Sequence, residues 1–157
     1  MFEPLEEMLL NFNWKVNTKQ KTTKMRKGQF SLNVGKTCHW MKEGKPILPS
    51  HEMIRNKAEI YNECKRLFPE HDFDCVMINK NFKCPAHKDK NNIGESIIIG
   101  FGDYVGGDLV VDGVPHCIYY TPLYFDGNKK EHYVNDFIGD RYSIVLCKSR
   151  FKAMIPS

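Results

Sequence analysis

The chain has 157 residues, 41% of them apolar, and a formal net charge of +4. This size suits one ordinary hydrophobic core and predicts a single domain over residues 1–157. No apolar stretch approaches the length of a membrane span, and the acidic N-terminus does not resemble a signal peptide. The six cysteines form no C-x-x-C pair. We therefore expect a soluble, intracellular monomer with reduced thiols, in the cytoplasm or nucleus of its own cell or of an infected host.

Residues 1–70 are predicted to form a basic and helical N-terminal part. Pro4 precedes an apolar pattern at helical spacing, which indicates a short helix near residues 3–11. Between residues 13 and 45 there are nine Lys or Arg and a single Glu, with Trp14, Phe30 and Trp40 among them. Such a stretch suits contact with nucleic-acid phosphates, and it equally suits a solvated segment whose aromatic residues pack on a core.

A second helix is predicted after Ser50, which is a suitable N-cap, and its apolar positions recur at steps of three and four residues up to Phe68. From Phe73 onward the pattern changes to short extended runs separated by Gly, Pro, Asn and Asp. This predicts an all-β core over residues 71–157, a sandwich or jelly roll, in which GDYVGGDL forms a tight hairpin. The predicted strands are FDCVMIN, ESIIIGFG, GDLVVDG, HCIYYTP, LYFDG, EHYVN and RYSIVLCK.

A candidate metal site combines His87 and Asp89, in CPAHKDK, with His132, in GNKKEHYVND. In an extended segment, residues two apart point to the same side, as two ligands of one metal must. Two imidazoles and one carboxylate on one face of Fe(II) leave positions open for an oxidant and a cosubstrate. His116 is the rival for the third ligand. A catalytic zinc ion also accepts this donor set.

Arg141 follows His132 within the next alternating run, RYSIVLCK, and Ser143 shares its face of that strand. A guanidinium group pairs bidentately with a carboxylate and stays charged in an apolar pocket. This indicates an anchor for a carboxylate cosubstrate, and zinc hydrolysis would leave Arg141 without an obvious role.

The segments INKNFKCPAHKDKNNIGESIIIGFGDYVGGDLVV and FDGNKKEHYVNDFIGDRYSIV resemble the Fe(II)/2-oxoglutarate-dependent dioxygenases. Within them the chain is most similar to the TET and JBP branch, which acts on 5-methylpyrimidines in nucleic acid and has small stand-alone members in phages, large viruses and algae. The resemblance covers roughly residues 73–148. It implies a double-stranded β-helix with N-terminal helices, the cofactors Fe(II), 2-oxoglutarate and O2, and iron ligands at His87, Asp89 and His132.

The same resemblance implies roles for four polar residues. Arg141 would pair with the distal carboxylate of 2-oxoglutarate with help from Ser143, and Asn79 would also hold the cosubstrate. Asn92 would hydrogen-bond a flipped pyrimidine, although an Asn at this place equally suits a turn. Where the branch carries an aromatic residue and a histidine beyond the arginine, this chain has Cys147 and Ser149, so base stacking would fall to other aromatic residues: Tyr104, Tyr119, Tyr120, Tyr124 or Trp40.

The expected reaction is hydroxylation of the 5-methyl group of 5-methylcytosine or thymine in DNA, with release of succinate and CO2, and with the basic N-terminal part holding phosphates. Two alternatives remain. The first is a prolyl-type protein hydroxylase, but those enzymes carry GG-x-T-x-F where this chain has Gly106 and Gly107 followed by Asp108 and Leu109. The second is a catalytically inactive jelly roll that binds nucleic acid.

Overall fold

The computed structural model describes residues 1–14, 28–35 and 51–149, and of residues 51–56 and 149 it describes the backbone alone. Most of the basic stretch, including Trp40, lies outside these residues, as does the predicted cap Ser50. The elements in chain order are α1 (Glu3–Asn11), β1 (Phe30–Gly35), α2 (His51–Leu67), β2 (Cys75–Lys80), β3 (Asn92–Gly106), β4 (Leu109–Val111), β5 (Val114–His116), β6 (Leu123–Phe125), β7 (His132–Val134) and β8 (Phe137–Ser149).

The two helices lie where the apolar spacing predicts them. Leu5 and Leu9 of α1 are fully buried, and the helix has proline in its first turn, where a missing N–H costs nothing. The Tyr120 hydroxyl donates a hydrogen bond to Glu6 and so ties α1 to the sheet behind it. Among the described residues, neither α1 nor α2 is long and apolar enough to span a bilayer.

The larger sheet is antiparallel and has the order β1-β2-β8-β3-β6. One of its faces packs against the helices through strand residues such as Ile78, Ile99 and Ile144, all with 0% exposure. The edge strand β1 was not predicted, because its alternating residues sit inside the basic stretch. Trp14 and Phe30 pack against this core at 6.2 Å between ring centroids, rather than standing free for base stacking.

The smaller sheet has the order β5-β4-β7 and faces the other side of the larger one. A second apolar cluster fills the space between the sheets, with members from both of them: Ile98, Leu109, Val111, Ile118, Phe125 and Val134. Two facing antiparallel sheets with one shared core form a jelly roll, so this part of the prediction is confirmed.

Two local predictions are wrong. GDYVGGDL is not a hairpin, because β3 and β4 belong to different sheets and Gly106 and Gly107, both at positive φ, carry the chain from one to the other. HCIYYTP is not a strand: β5 ends at His116, and the following residues make only an isolated bridge at Tyr119. Sequence alternation reports the polarity of successive residues, and it does not report whether a partner strand is within reach.

Candidate active site

Backbone hydrogen bonds bring His87, Asp89 and His132 together. His87 and His132 form an isolated antiparallel bridge and exchange two hydrogen bonds, of 3.1 Å and 3.0 Å. The Asp89 amide donates to the carbonyl of Gly127 at 2.8 Å. The segment that carries His87 and Asp89 is thereby fastened to the strand that carries His132, so the three side chains converge on one point between the sheets.

The ligand atoms of these three residues all lie within 4.8 Å of one another. Each Nε2 is 3.1 Å from one carboxylate oxygen of Asp89, His87 from Oδ1 and His132 from Oδ2. Each Nδ1 instead faces a carbonyl, that of Pro85 at 2.8 Å and that of Lys130 at 3.0 Å. Because a carbonyl only accepts, Nδ1 carries a hydrogen in both rings, and the Nε2 atoms are the ones that face Asp89 and could bind a metal ion beside it.

The electrostatics of the group favour a cation at its centre. Hydrogen bonds with Asp89 and Cys84 raise the pKa of His87 to about 11, despite partial burial. Burial alone would raise the pKa of Asp89, but the hydrogen bonds from His132 and His87 outweigh it and hold that pKa below its usual value. The carboxylate is therefore ionised, and a bound cation would take the place of the proton on His87.

Arg141 lies on the same side of the larger sheet as the three candidate ligands, and it is only 1% exposed. Its guanidinium carbon is 5.8 Å from the ring centre of Tyr104 and 5.7 Å from that of Phe137. Burial lowers the pKa of Arg141, and within residues 1–14, 28–35 and 51–149 its Nε and Nη2 have no hydrogen-bond partner. A buried cation without an anion is costly, so these two nitrogens mark a place for a bound carboxylate.

Asn79 and Ser143 are direct neighbours across β2 and β8, and the Asn79 amide nitrogen is 3.1 Å from the Ser143 hydroxyl. The Asn79 carbonyl oxygen is buried without a partner. Because a hydroxyl both donates and accepts, the carboxamide can turn over, keep this hydrogen bond, and present its NH2 group to an anion. Both residues share the face of Arg141, since strand residues two apart point to the same side.

The buried hydroxyl of Tyr104 also lacks a hydrogen-bond partner in the part of the chain that the structure describes. It lies beside Gly100, where a Cβ would collide with it, and Gly100 pairs with Ser143 across β3 and β8. Sequence analysis considered Tyr104 only for base stacking, and at 9% exposure it is too buried for that role. The sequence could have placed Tyr104 beside Arg141 only if the register of β3 against β8 had been known.

Two glycines allow the backbone to pass close to the site. A Cβ on Gly107 would stand 2.8 Å from Nε of Arg141, and a Cβ on Gly127 would stand 3.0 Å from Oδ2 of Asp89. Gly107 also has a φ of +70°, a backbone angle that residues with a side chain rarely adopt. The crossing from β3 to β4 therefore closes over the arginine, and the turn before β7 closes over the carboxylate.

The remaining candidates are more peripheral. Asn92 begins β3, and its carboxamide makes no hydrogen bond within the described residues, while its backbone amide donates to the carbonyl of Asp89 at 3.1 Å. His116 lies on the edge strand β5 and is outside the group of three ligands. Tyr119 and Tyr124 are 43% and 50% exposed, so they are the tyrosines of the predicted set that present the most ring surface.

No family model matches the chain, and no curated protein matches it by sequence. Solved structures do match. A 2OG-Fe(II) oxygenase family oxidoreductase from Burkholderia pseudomallei has a TM-score of 0.57 and 15% identity, over 97% of this chain and 79% of its own. NgTET1 in complex with 5mC DNA has a TM-score of 0.65 and 16% identity, over 98% of this chain and 70% of its own. The chain has the fold of the 2OG-Fe(II) oxygenases.

The residues present fit the groups that the name of this fold implies. Fe(II) accepts two imidazoles and a carboxylate, which is the donor set of His87, His132 and Asp89. The 2-oxoglutarate dianion carries a carboxylate that would pair with the unpartnered nitrogens of Arg141 and accept from Tyr104. A metal ion would complete the three-residue group, and a carboxylate would give Arg141 the anion that it lacks among the described residues.

Proposed function

We propose that this protein is an Fe(II)- and 2-oxoglutarate-dependent dioxygenase that hydroxylates the 5-methyl group of a pyrimidine in DNA. The observation that carries the proposal is the pairing of a three-ligand metal group with a buried, unpartnered arginine on the inner face of the larger sheet. A zinc hydrolase would need the first feature and not the second. An inert binding module would need neither.

In the proposed reaction, iron, 2-oxoglutarate and O2 supply the oxidation of a C–H bond, with succinate and CO2 as coproducts. The protein residues hold and orient. Asp89 and the two Nε2 atoms bind one face of the metal, and the carbonyls of Pro85 and Lys130 keep both rings in one tautomer. Arg141 pairs with the distal carboxylate of the cosubstrate.

The inner face of the larger sheet supplies the other cosubstrate contacts. Tyr104 donates a hydrogen bond from its hydroxyl group, and Asn79 donates from its amide once the carboxamide has turned over. Ser143 assists by donating its hydroxyl hydrogen to the turned Asn79 carbonyl oxygen, which holds the Asn79 NH2 group toward the cosubstrate. The rings of Tyr104 and Phe137 flank the guanidinium and keep water from it, which strengthens its pairing with an anion.

A methylated pyrimidine in DNA is the proposed substrate, and two points support it. NgTET1, which shares the fold, was solved with 5mC DNA. Asn92 adjoins the metal-binding segment, and its carboxamide, which makes no hydrogen bond to any residue that the structure describes, offers both a donor and an acceptor to the edge of a base that has been flipped from the duplex. A prolyl-type hydroxylase has no comparable support in this chain.

The test is to incubate the full chain with Fe(II), 2-oxoglutarate, O2 and one of three substrates: 5-methylcytosine DNA, thymine-containing DNA, or a proline-rich peptide. Mass spectrometry then measures succinate and the hydroxylated product. We expect hydroxymethylated base and an equal amount of succinate from DNA. If only the peptide were hydroxylated, the substrate would be a protein and not DNA. If the chain bound iron but formed no succinate with any substrate, the enzymatic function would be rejected.

A further inference from the structure

Exposed lysines flank the candidate iron ligands on both chain segments that carry them. Lys88 and Lys90 stand on either side of Asp89, and Lys129 and Lys130 come shortly before His132. All four are exposed. We refer to these four residues as the lysine rim. His87 and Asp89 are themselves about one third exposed whereas the His132 side chain is 5% exposed, so the metal site opens on the side of the first segment.

Hydrogen bonds hold the two halves of the lysine rim together. The Asn128 side chain donates to the carbonyl of Lys90 at 3.1 Å and to that of Asn92 at 2.7 Å. The Asp126 carboxylate accepts from the amides of Asn128 and Lys129 at 3.2 Å and 3.1 Å and so caps the neighbouring turn. The lysine rim is therefore a single surface mounted on a tied pair of loops.

The ammonium groups of the lysine rim have no anionic partner within residues 1–14, 28–35 and 51–149. Elsewhere among the described residues, Lys83 is paired with Asp136 and Lys148 with Asp72. Two exposed acids lie nearby, Glu131 in the loop before β7 and Glu95 near the start of β3, and neither pairs with any of the four lysines. The partly buried Asp126 carboxylate is engaged by the amides of its own turn. Among the exposed side chains of this surface, four unpaired cations therefore stand against two acids.

Exposed carboxylates gather at the opposite end of the longest strand. Asp103 and Asp140 are direct neighbours across β3 and β8, and Asp136 lies just before β8 begins. Asp103 lies 11 residues after Asn92 in β3, so at ~3.4 Å per residue this acidic end is at most about 37 Å from the start of β3 beside the lysine rim. A polyanion would therefore be attracted to the metal-binding end and repelled from the other.

We propose that the lysine rim binds the DNA backbone phosphates on either side of the nucleotide that enters the iron site. This inference rests on the proposed function. It places the phosphate contacts on the surface around the iron site. Ammonium groups are compact charges on flexible stems, which suits phosphates and reads no sequence. Because the lysines adjoin the ligands, they would hold the phosphates nearest to the flipped base, and so position that base over the metal.

The test compares two double variants of the full chain that each remove two positive charges. Lys90→Gln with Lys129→Gln changes the lysine rim, and Lys65→Gln with Arg66→Gln changes helix α2, which packs on the outer face of the larger sheet. Binding to a short methylated duplex is measured against salt concentration, with iron and 2-oxoglutarate present and O2 excluded. We expect the slope of log affinity against log salt to fall by about two for the rim variant and to stay unchanged for the control.

The inference would be overturned if the salt-dependence slope stayed at the wild-type value in both variants, or if it fell by the same amount in both. A second readout separates it from the proposed function: at moderate salt, the rim variant should show a raised KM for methylated DNA and an unchanged KM for 2-oxoglutarate. If the wild-type chain binds DNA with a rim-dependent slope but never forms succinate, the enzymatic function fails and the phosphate contact stands.

Discussion

Each histidine of the candidate iron site uses one ring nitrogen for the fold and offers the other to a ligand. The carbonyls of Pro85 and Lys130 accept from Nδ1, so neither ring can flip without losing a hydrogen bond. His116, which sequence analysis considered as a rival ligand, lies outside the group. The contrast between His132 and His116 therefore gives the most direct test of the metal site.

We expect His132→Ala to weaken iron binding by more than about a hundredfold, since loss of a mere outer partner of a ligand already costs ten- to hundredfold. His116→Ala should bind iron like the wild-type chain. Iron content per chain, measured by mass spectrometry after dialysis, gives the comparison, and thermal unfolding checks that both variants fold. Retention of iron by the first variant and loss by the second would move the third ligand to His116.

Iron binding should release at least one proton at neutral pH. The pKa of His87 lies at about 11 in the metal-free protein, so this ring is protonated at pH 7 and iron must displace its proton. The affinity for iron should therefore rise as pH increases, by about tenfold per unit for one proton. Anaerobic calorimetry in two buffers of different ionisation enthalpy measures the release, and identical heats in both buffers would contradict it.

Replacing Arg141 by methionine should separate cosubstrate binding from metal binding. The variant should keep iron, while the KM for 2-oxoglutarate rises by about ten- to hundredfold, because a charge-assisted pair contributes about 1.5–3 kcal/mol. Without cosubstrate, the variant should unfold at a higher temperature than the wild-type chain, since it no longer buries an unpartnered cation. Loss of folding on this substitution would make Arg141 structural.

At the scale of elements, sequence patterns predicted the two helices and most strands, because apolar spacing reports burial directly. Strand β1 escaped prediction inside a basic stretch, and GDYVGGDL was misassigned because turn residues do not reveal whether two strands share a sheet. The candidate ligands His87, Asp89 and His132 could be selected from their spacing and from the family resemblance of the segments that carry them. The Tyr104 hydroxyl could not, because its place beside Arg141 depends on the register of β3 against β8.

The crossing from β3 to β4 offers a test in which two glycines differ in their surroundings alone. Gly107 and Gly113 have similar φ angles, +70° and +80°, but a Cβ on Gly113 would meet nothing within 4 Å. Each change to alanine should cost about 1–2 kcal/mol of unfolding free energy for the backbone. Gly107→Ala should cost about 1–3 kcal/mol more, because it presses on Arg141.

Chemical denaturation gives both unfolding free energies, and cosubstrate kinetics provides a second comparison. Gly107→Ala should also raise the KM for 2-oxoglutarate, whereas Gly113→Ala should leave it unchanged. Equal values of both quantities for the two variants would show that the crossing does not constrain the arginine.

At the scale of the whole molecule, the candidate iron site joins parts that are otherwise held by the second apolar cluster. His132 belongs to the smaller sheet, while His87 and Asp89 belong to the loop that follows β2 of the larger one. The helix-covered face of the larger sheet has its own, larger cluster and touches none of the ligands. Metal removal should therefore loosen the smaller sheet and leave the helix-covered core intact.

Hydrogen exchange measured with and without a chelator tests this expectation. Amides of β4, β7 and the 87–89 segment should exchange faster in the metal-free protein, because the links at His87, Asp89 and His132 then open more often. Amides of β2 and the central part of β8 serve as the internal control. Uniform acceleration throughout both sheets would instead indicate that the metal stabilises the fold as one unit.

The register of β8 has a consequence for how this chain tolerates changes in length. Arg141 and Ser143 face the side of the larger sheet where we propose that the cosubstrate binds, and their neighbours Tyr142 and Ile144 face the helices. One residue inserted early in β8 would exchange the two faces of the strand. Tyr142 would then face the space between the sheets and Arg141 would face the apolar, helix-covered core. We therefore expect no insertion at this place. Added residues in the exposed turn between β4 and β5, at Asp112 and Gly113, would leave all four ligand and anchor positions in place. Relatives of this protein should therefore vary freely in loop length while β8 keeps its spacing, which is how a fold persists at 15–16% identity.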